Sequence, residues 1–213
     1  MSRYRKFASN VAKNLPKVSP EMENYWNGHP GELQEFLAGL AGSGWEVVDG
    51  VIHFTVTSDG TTGPQWIERL RKNAKWIGDY AMSALLSPDF IPTIGVTTKI
   101  AVLPGEWFFK EEKRATTIEI REKAKRRWKL VAPAAETACL TRNKFSDKDL
   151  KAMGLVYIVV CHEPVRVYGC QVLGHPNLLG ASRHGHGHWL EGYCGKPDSI
   201  WDRHGGFAFA EQV

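Results

Sequence analysis

The side chains best suited to metal binding or nucleophilic catalysis are concentrated near the C-terminal end of this sequence of 213 residues. Imidazoles and thiols bind zinc and supply nucleophiles, so any site chemistry is expected in this region. The region contains His162, His175, His184, His186, His188, His204, Cys161, Cys170 and Cys194. None of their spacings completes a recognised metal or catalytic signature. The pattern therefore indicates a region rather than a reaction.

Three of these histidines, His184, His186 and His188, alternate with glycines. On one flat strand, a period of two would place three imidazoles on the same face as a ligand set for zinc. Glycine favours turns, however, and the flanking runs predict the two arms of a hairpin with the histidines at its tip. We favour this turn without a metal. The alternative is a zinc site completed by Cys194 or His204.

The pair His162 and Glu163 matches only the start of a zinc-protease motif. No second histidine follows at the fourth position, and Pro164 prevents the helix that such a motif needs. His162 also cannot act as a base for Cys161, because adjacent residues of a strand point to opposite faces. We therefore interpret Cys161 as a buried core thiol.

The most charged part of the chain is the segment from 111 to 129, which is acidic at its start and basic at its end. This order matches the helix dipole, and Ile120, Ala124 and Trp128 recur at helical spacing, so a helix with one buried stripe is predicted. One interpretation is a solvated surface helix. The alternative is a surface for an acidic partner such as nucleic acid, with Trp128 available to stack on a base. Its residues would be Arg121, Lys123, Lys125, Arg126, Arg127, Trp128 and Lys129.

Aromatic side chains are also frequent near the C-terminus, where Trp189, Tyr193 and Trp201 lie among charged residues. Ring faces support flat ligands while polar groups at their rims form hydrogen bonds, as in sugar-binding and base-binding surfaces. These three rings are therefore a hypothetical ligand platform. The alternative is that they fill the core, because a small β-rich core needs large side chains.

The composition is that of an ordinary globular protein, with 43% hydrophobic and 23% charged residues. The longest apolar runs are far shorter than the ~20 residues of a membrane span, and no apolar core follows the basic N-terminus as in a signal peptide. A cytoplasmic location with cysteines as thiols is therefore expected. The net charge of +4 permits an acidic partner without requiring one.

The hydrophobic periodicity predicts an α+β fold, with helices in the N-terminal and middle parts and a mainly antiparallel β-meander in the C-terminal part. Residues 1 to 20 contain five basic residues and no acidic one, and they are predicted as a separate amphipathic segment. Residues 21 to 213 are predicted as a single domain with a β-rich subregion from 155 to 213.

Local signals predict the individual elements. Helices are predicted from Pro30 to Ala41, from Pro64 onward, from Ile77 to Leu85 as the second arm of a helical hairpin, over 111–129, from Pro133 to Asn143 and after Ser146. Strands are predicted over 45–48 and 51–56, joined by a tight turn at Asp49–Gly50, and over 96–103, 155–161, 165–172, 178–183, 188–193 and 207–210. The run from Leu155 to Cys161 is continuously apolar, so we expect an interior strand.

A resemblance to known proteins is carried by six segments. They are Thr57–Leu70, Leu86–Phe90, Gly95–Thr98, Met153–Leu155, His162–Pro164 and Trp201–Phe209. Together they resemble a group of short, uncharacterised bacterial proteins over roughly residues 45 to 212. The resemblance implies a bacterial or mobile-element origin and one continuous domain. It implies no activity, cofactor or catalytic residue.

The function predicted from these patterns is binding rather than catalysis. The C-terminal meander is the first expected working surface of such an accessory protein, and the basic helix is the second. The alternative is a metal-dependent enzyme that uses the C-terminal histidines and cysteines. Elemental analysis for zinc in untagged protein would separate the two.

Overall fold

The computed structural model describes residues 24, 27–30, 44–73, 75–109, 114–167, 174–184 and 187–212. The chain divides into two units, Met1–Gly42 and Ser43–Val213. The predicted basic segment 1–20 lies outside the described residues, as does the helix predicted from Pro30 to Ala41 except for Pro30 itself. All elements named below belong to the second unit.

The described part of the second unit contains nine strands, five α-helices and a 3₁₀ turn at Gly105–Trp107. The strands are β1 Trp45–Val48, β2 Val51–Asp59, β3 Lys75–Ile77, β4 Ile94–Pro104, β5 Tyr157–Val160, β6 Val165–Val167, β7 His175–His184, β8 Gly187–Cys194 and β9 Gly205–Ala210. The helices are α1 Gly63–Lys72, α2 Asp79–Leu85, α3 Thr117–Trp128, α4 Thr137–Lys144 and α5 Asp147–Ala152. The predicted α+β class is confirmed.

All nine strands belong to one mixed sheet. Its order is β1-β2-β4-β9-β5-β7-β8-β3, and β6 pairs with β7. The predicted C-terminal meander is only partly confirmed. β7 and β8 form an antiparallel hairpin, but β9 lies between β4 and β5 and runs parallel to β5. Hairpin signals detect strands that are neighbours in sequence, whereas β9 pairs with two strands that are distant from it in sequence.

The hairpin predicted at Asp49–Gly50 is confirmed, because β1 pairs antiparallel with β2 and Val48 lies opposite Val51. Both turn residues have positive φ, 50° at Asp49 and 78° at Gly50, as a two-residue type I′ turn requires. A Cβ atom on Gly50 would also lie 2.7 Å from the Trp107 ring. Glycine therefore satisfies both the turn and the packing at this position.

The helices differ from the prediction at three boundaries. Both predicted helices, α1 and α2, are present, but Ile77 lies in β3, which pairs parallel with β8, so α2 begins at Asp79 and a strand separates it from α1. α3 begins at Thr117 because Thr116 caps it, while α4 begins at Thr137 rather than at Pro133. The start predicted at Ser146 is confirmed, since its hydroxyl accepts a hydrogen bond from the backbone of the third residue of α5.

Helices cover both faces of the sheet. On one face, α1, α2, α4 and α5 bury apolar residues against β2, β4, β5 and β9. On the other face, α3 packs through Ile120 and Ala124. All four residues of β5 are buried, which confirms the interior strand predicted within 155–161. The second face is the one on which the predicted basic helix lies.

Candidate functional site

The C-terminal end of α3 is held in place by buried residues on both sides. Ile120 and Ala124 are buried against the sheet, and Leu130, the second residue after the helix, is buried as well. Between them Lys129 ends the helix with a left-handed backbone, at φ 58°. The backbone of the last helical turn is therefore held in a fixed position, and its exposed side chains extend from it.

Four of the predicted basic residues are exposed at this end of α3: Lys125, Arg126, Arg127 and Lys129. No carboxylate in the part of the chain that the structure describes forms an ion pair with any of them. Without an ion-pair partner among the described residues, these four cations contribute a positive potential at the surface. We call these four residues the basic end of α3.

The other two predicted basic residues, Arg121 and Lys123, contact the protein itself. Arg121 donates a hydrogen bond to the carbonyl of His162, and its guanidinium lies 3.4 Å from the carboxylate of Glu163. Lys123 donates a hydrogen bond to the carbonyl of Trp107. These two cations therefore attach neighbouring chain segments to α3.

Trp128 does not present an open stacking surface. Its ring stacks on Trp107, with ring centroids 5.6 Å apart and an interplanar angle of 17°. The guanidinium carbon of Arg127 also lies 4.9 Å from the Trp128 ring centroid. Stacking on Trp107 covers one face of the indole, so Trp128 is better placed to line the side of a pocket than to stack on a base.

A pocket of about 370 Å³ opens between the basic end of α3, the β1–β2 turn and the residues after β9. Its floor is apolar and comprises Val51, Ala101, Leu103 and Leu130. Its other lining residues are Val48, Asp49, His53, Trp128, Lys129, Glu211 and Gln212. The volume is at the small end of the range of ligand pockets, roughly 300–1,000 Å³. We call this cavity the α3 pocket.

An imidazole and a carboxylate meet in the α3 pocket. The Nδ1 atom of His53 lies 2.7 Å from Oε1 of Glu211, and the two side chains are 26% and 32% exposed. The Glu211 amide donates to the carbonyl of Lys99, which fixes the residue beside β4. An ionised carboxylate can only accept, so Nδ1 of His53 carries the hydrogen of this contact and donates it to Glu211.

No local sequence pattern predicts the contact between His53 and Glu211. His53 and Glu211 are separated by 158 positions, and a single histidine on a strand is usually packed or solvated. The alternation of Val51 and His53 does place them on one face of β2. Nothing local to Glu211 indicates that β9 would bring it next to β4.

The predicted metal ligands are dispersed wherever the structure describes them. His188 contacts the carboxylate of Asp147 at 2.8 Å, and the Cys194 sulfur lies 3.7 Å from His175. His204 is exposed beyond the end of the sheet. His184 pairs with Gly187, which confirms the hairpin, while His186 lies outside the described residues.

Within the described ranges, no three histidine, cysteine or acidic side chains are grouped so that they could hold a metal ion. A zinc site normally needs four donors about 2.0–2.3 Å from one centre. Because the side chains of the hairpin tip are outside the description, the zinc alternative stays a prediction.

The three rings of the predicted platform separate into two groups. Tyr193 and Trp201 have ring centroids 5.6 Å apart, and a cavity of about 350 Å³ lies beside them. Trp189 instead stacks on Trp76, with centroids 5.5 Å apart. Trp201 is only 9% exposed, and its indole N–H donates to the Thr117 hydroxyl. Trp201 therefore fills the core between α3 and the sheet.

His162 is a buried structural histidine. Its side chain makes two backbone hydrogen bonds: Nδ1 to the carbonyl of Glu163 at 2.6 Å, and Nε2 with the amide of Leu179 at 2.9 Å. Burial lowers the pKa of His162 to about 4. Burial also raises the pKa of the neighbouring Cys161 thiol to about 12, so this thiol stays protonated.

Comparison of the chain with models of protein families, with curated proteins and with solved structures finds no match. In the part of the chain that the structure describes, no helix has the length and apolar character needed to cross a membrane.

Proposed function

We propose that this protein binds nucleic acid through the basic end of α3. The observation that carries the proposal is a set of four exposed cations without carboxylate partners among the described residues, located directly beside an open pocket. Lys129 belongs to both the basic end and the pocket lining. A ligand with a charged backbone and a flat apolar group would match the two features together.

The geometry of the basic end suits a chain of phosphates better than an isolated anion. Lys125 and Lys129 lie one helical turn apart, about 6 Å along the helix axis. Their backbone positions are set by the buried side of α3, so the cations need little reorganisation before binding. A polyanion can contact several of them at once and release its condensed counterions, which is the main source of affinity in such complexes.

A salt titration tests this function. Fluorescence anisotropy with a labelled single-stranded oligonucleotide would give the association constant over a series of salt concentrations. For single strands, the slope of log K against log salt changes by about 0.7 for each phosphate contact. The double substitution Lys125→Ala/Arg126→Ala should therefore flatten the slope by about 1.4 and weaken binding to every oligonucleotide.

The matched control removes two exposed cations from the end of another helix. Arg71 and Lys72 occupy the last turn of α1 and are exposed. Arg71→Ala/Lys72→Ala changes the net charge by the same amount, but it should leave the slope unchanged. Absence of binding by the wild-type protein at low salt would refute the proposal. Equal losses in the two double variants would show that only net charge matters.

A further inference from the structure

We infer that the α3 pocket receives one unstacked nucleobase that carries amino and imino hydrogens, with guanine as the best fit. This inference rests on the proposed function, because the basic end of α3 would hold the phosphates of the same strand. It adds what the cations alone do not provide, which is a preference among bases.

The floor of the pocket is suited to a flat aromatic group. Val51, Ala101 and Leu103 alternate on neighbouring strands and face the same side of the sheet, where each is buried. Ala101 lies directly opposite His53, and its small side chain leaves space above the sheet at this point. A base placed on this floor would remove its apolar face from water, which favours binding without selecting among bases.

The polar end of the pocket is rich in acceptors. Oε1 of Glu211 accepts the hydrogen bond from Nδ1–H of His53 with one of its lone pairs, so the second lone pair of Oε1 and both lone pairs of Oε2 remain for a ligand. Guanine has adjacent N1–H and N2–H groups that a carboxylate can accept together. Thymine and uracil offer one N–H group between two carbonyl oxygens, whose lone pairs would face the carboxylate. Electrostatic complementarity therefore favours guanine.

The connection between pocket and phosphates indicates a single-stranded ligand. Lys129 lines the pocket, and Lys125 lies one turn earlier on the helix. A nucleotide with its base in the pocket would thus have cations near its own phosphate. In a duplex, the amino and imino groups of guanine are already paired, so they are not available to Glu211. An unpaired strand presents both.

The experiment compares guanine with inosine, which lacks only the 2-amino group. Short thymidylate oligomers carrying one central guanine or one central inosine would be titrated against the protein at one fixed low salt concentration. Wild-type protein should bind the guanine oligomer at least about fivefold more tightly, as expected when the inosine oligomer lacks one hydrogen bond to a carboxylate. Glu211→Gln should abolish this difference between the guanine and the inosine oligomer.

Two further variants make the result specific. Glu46→Gln is the matched control, because Glu46 is exposed and lies directly opposite His53 on β1 but does not line the pocket. It should keep the guanine preference. Val48→Trp places a large side chain at the exposed rim, on a strand position that tolerates aromatic residues. It should abolish the preference without altering either polar group.

The outcomes separate this inference from the proposed function. Salt-sensitive binding that Lys125→Ala/Arg126→Ala weakens, but with equal affinity for guanine and inosine, would overturn the pocket assignment and leave the nucleic-acid function intact. A guanine preference that persists in both Glu211→Gln and Val48→Trp would also overturn it. No binding to any oligomer would refute both. A thermal melt of each variant would verify that it is folded.

Discussion

Lowering the pH should destabilise this protein through His162, and the size of the effect can be derived from its surroundings. The side chain is 1% exposed and uses both ring nitrogens for backbone hydrogen bonds, at 2.6 Å to the Glu163 carbonyl and 2.9 Å from the Leu179 amide. Because Nε2 accepts from an amide, the ring must be neutral, with its proton on Nδ1. A second proton would face the Leu179 N–H group and place an unpaired charge in the core.

The sign follows from the direction of the pKa shift. Burial holds the pKa of folded His162 near 4, whereas the ordinary value is 6.5. Between these pH values the unfolded chain binds more protons than the folded protein, so the free energy of unfolding falls as the pH decreases. The contribution is fully present above pH 6.5 and is lost on the way to pH 4. The full loss is about 3 kcal/mol, of which about 2 kcal/mol falls between pH 7 and pH 5.

Urea unfolding of wild-type protein and His162→Gln over this pH range measures the effect. The glutamine retains an acceptor for the Leu179 amide but does not titrate, so the variant should lose about 1–3 kcal/mol at pH 7 through poorer packing and the lost Glu163 bond. The difference between the two proteins should then shrink by about 2 kcal/mol at pH 5. Coincident transitions by tryptophan fluorescence and circular dichroism would establish two-state behaviour.

The control is His204→Gln, because His204 is exposed. The free energy of unfolding of the His204→Gln variant should follow that of the wild-type protein at each pH. If the wild-type and His162→Gln curves are parallel between pH 7 and pH 5, His162 is not a buried neutral histidine and the reasoning is refuted.

Three other predictions concern packing and reactivity. Gly63→Ala should destabilise the protein by about 1–3 kcal/mol in urea unfolding, because the new Cβ would lie 1.7 Å from the carbonyl oxygen of Leu85, the last residue of α2. An unchanged urea midpoint would contradict this close approach of α1 and α2. Arg142→Leu should lower the free energy of unfolding by about 3 kcal/mol in the same assay. The guanidinium is fully buried, forms an ion pair with Asp147 and donates hydrogen bonds to two backbone carbonyls, which would lose their donor. A loss below about 1 kcal/mol would show that these bonds contribute little to stability. In a Cys170→Ser background, only the exposed thiol of Cys194 should react rapidly with a thiol reagent. Fast reaction of a second thiol in the folded protein would contradict the burial of the other two. The protected thiols are Cys139 and Cys161, both buried with raised pKa.

The sequence by itself determined the features whose causes are local. The Asp49–Gly50 turn follows from two residues that tolerate positive φ, and the start of α5 follows from a hydroxyl that caps its first turn. The interior position of β5 follows from a run with no polar face. The basic and apolar sides of α3 follow from its helical period. In each case the interacting groups lie within a few residues of one another.

The tertiary structure alone decided the features that depend on distant pairing. β9 inserts between β4 and β5, and this insertion brings Glu211 to His53 and forms one side of the α3 pocket. The fold also divided the cations of α3: Arg121 and Lys123 donate hydrogen bonds to backbone carbonyls, whereas the side chains of the basic end form no such bond with any residue that the structure describes. Strand order and register depend on which apolar surfaces can be buried together across the whole unit. That global balance is not encoded in the spacing of any short segment.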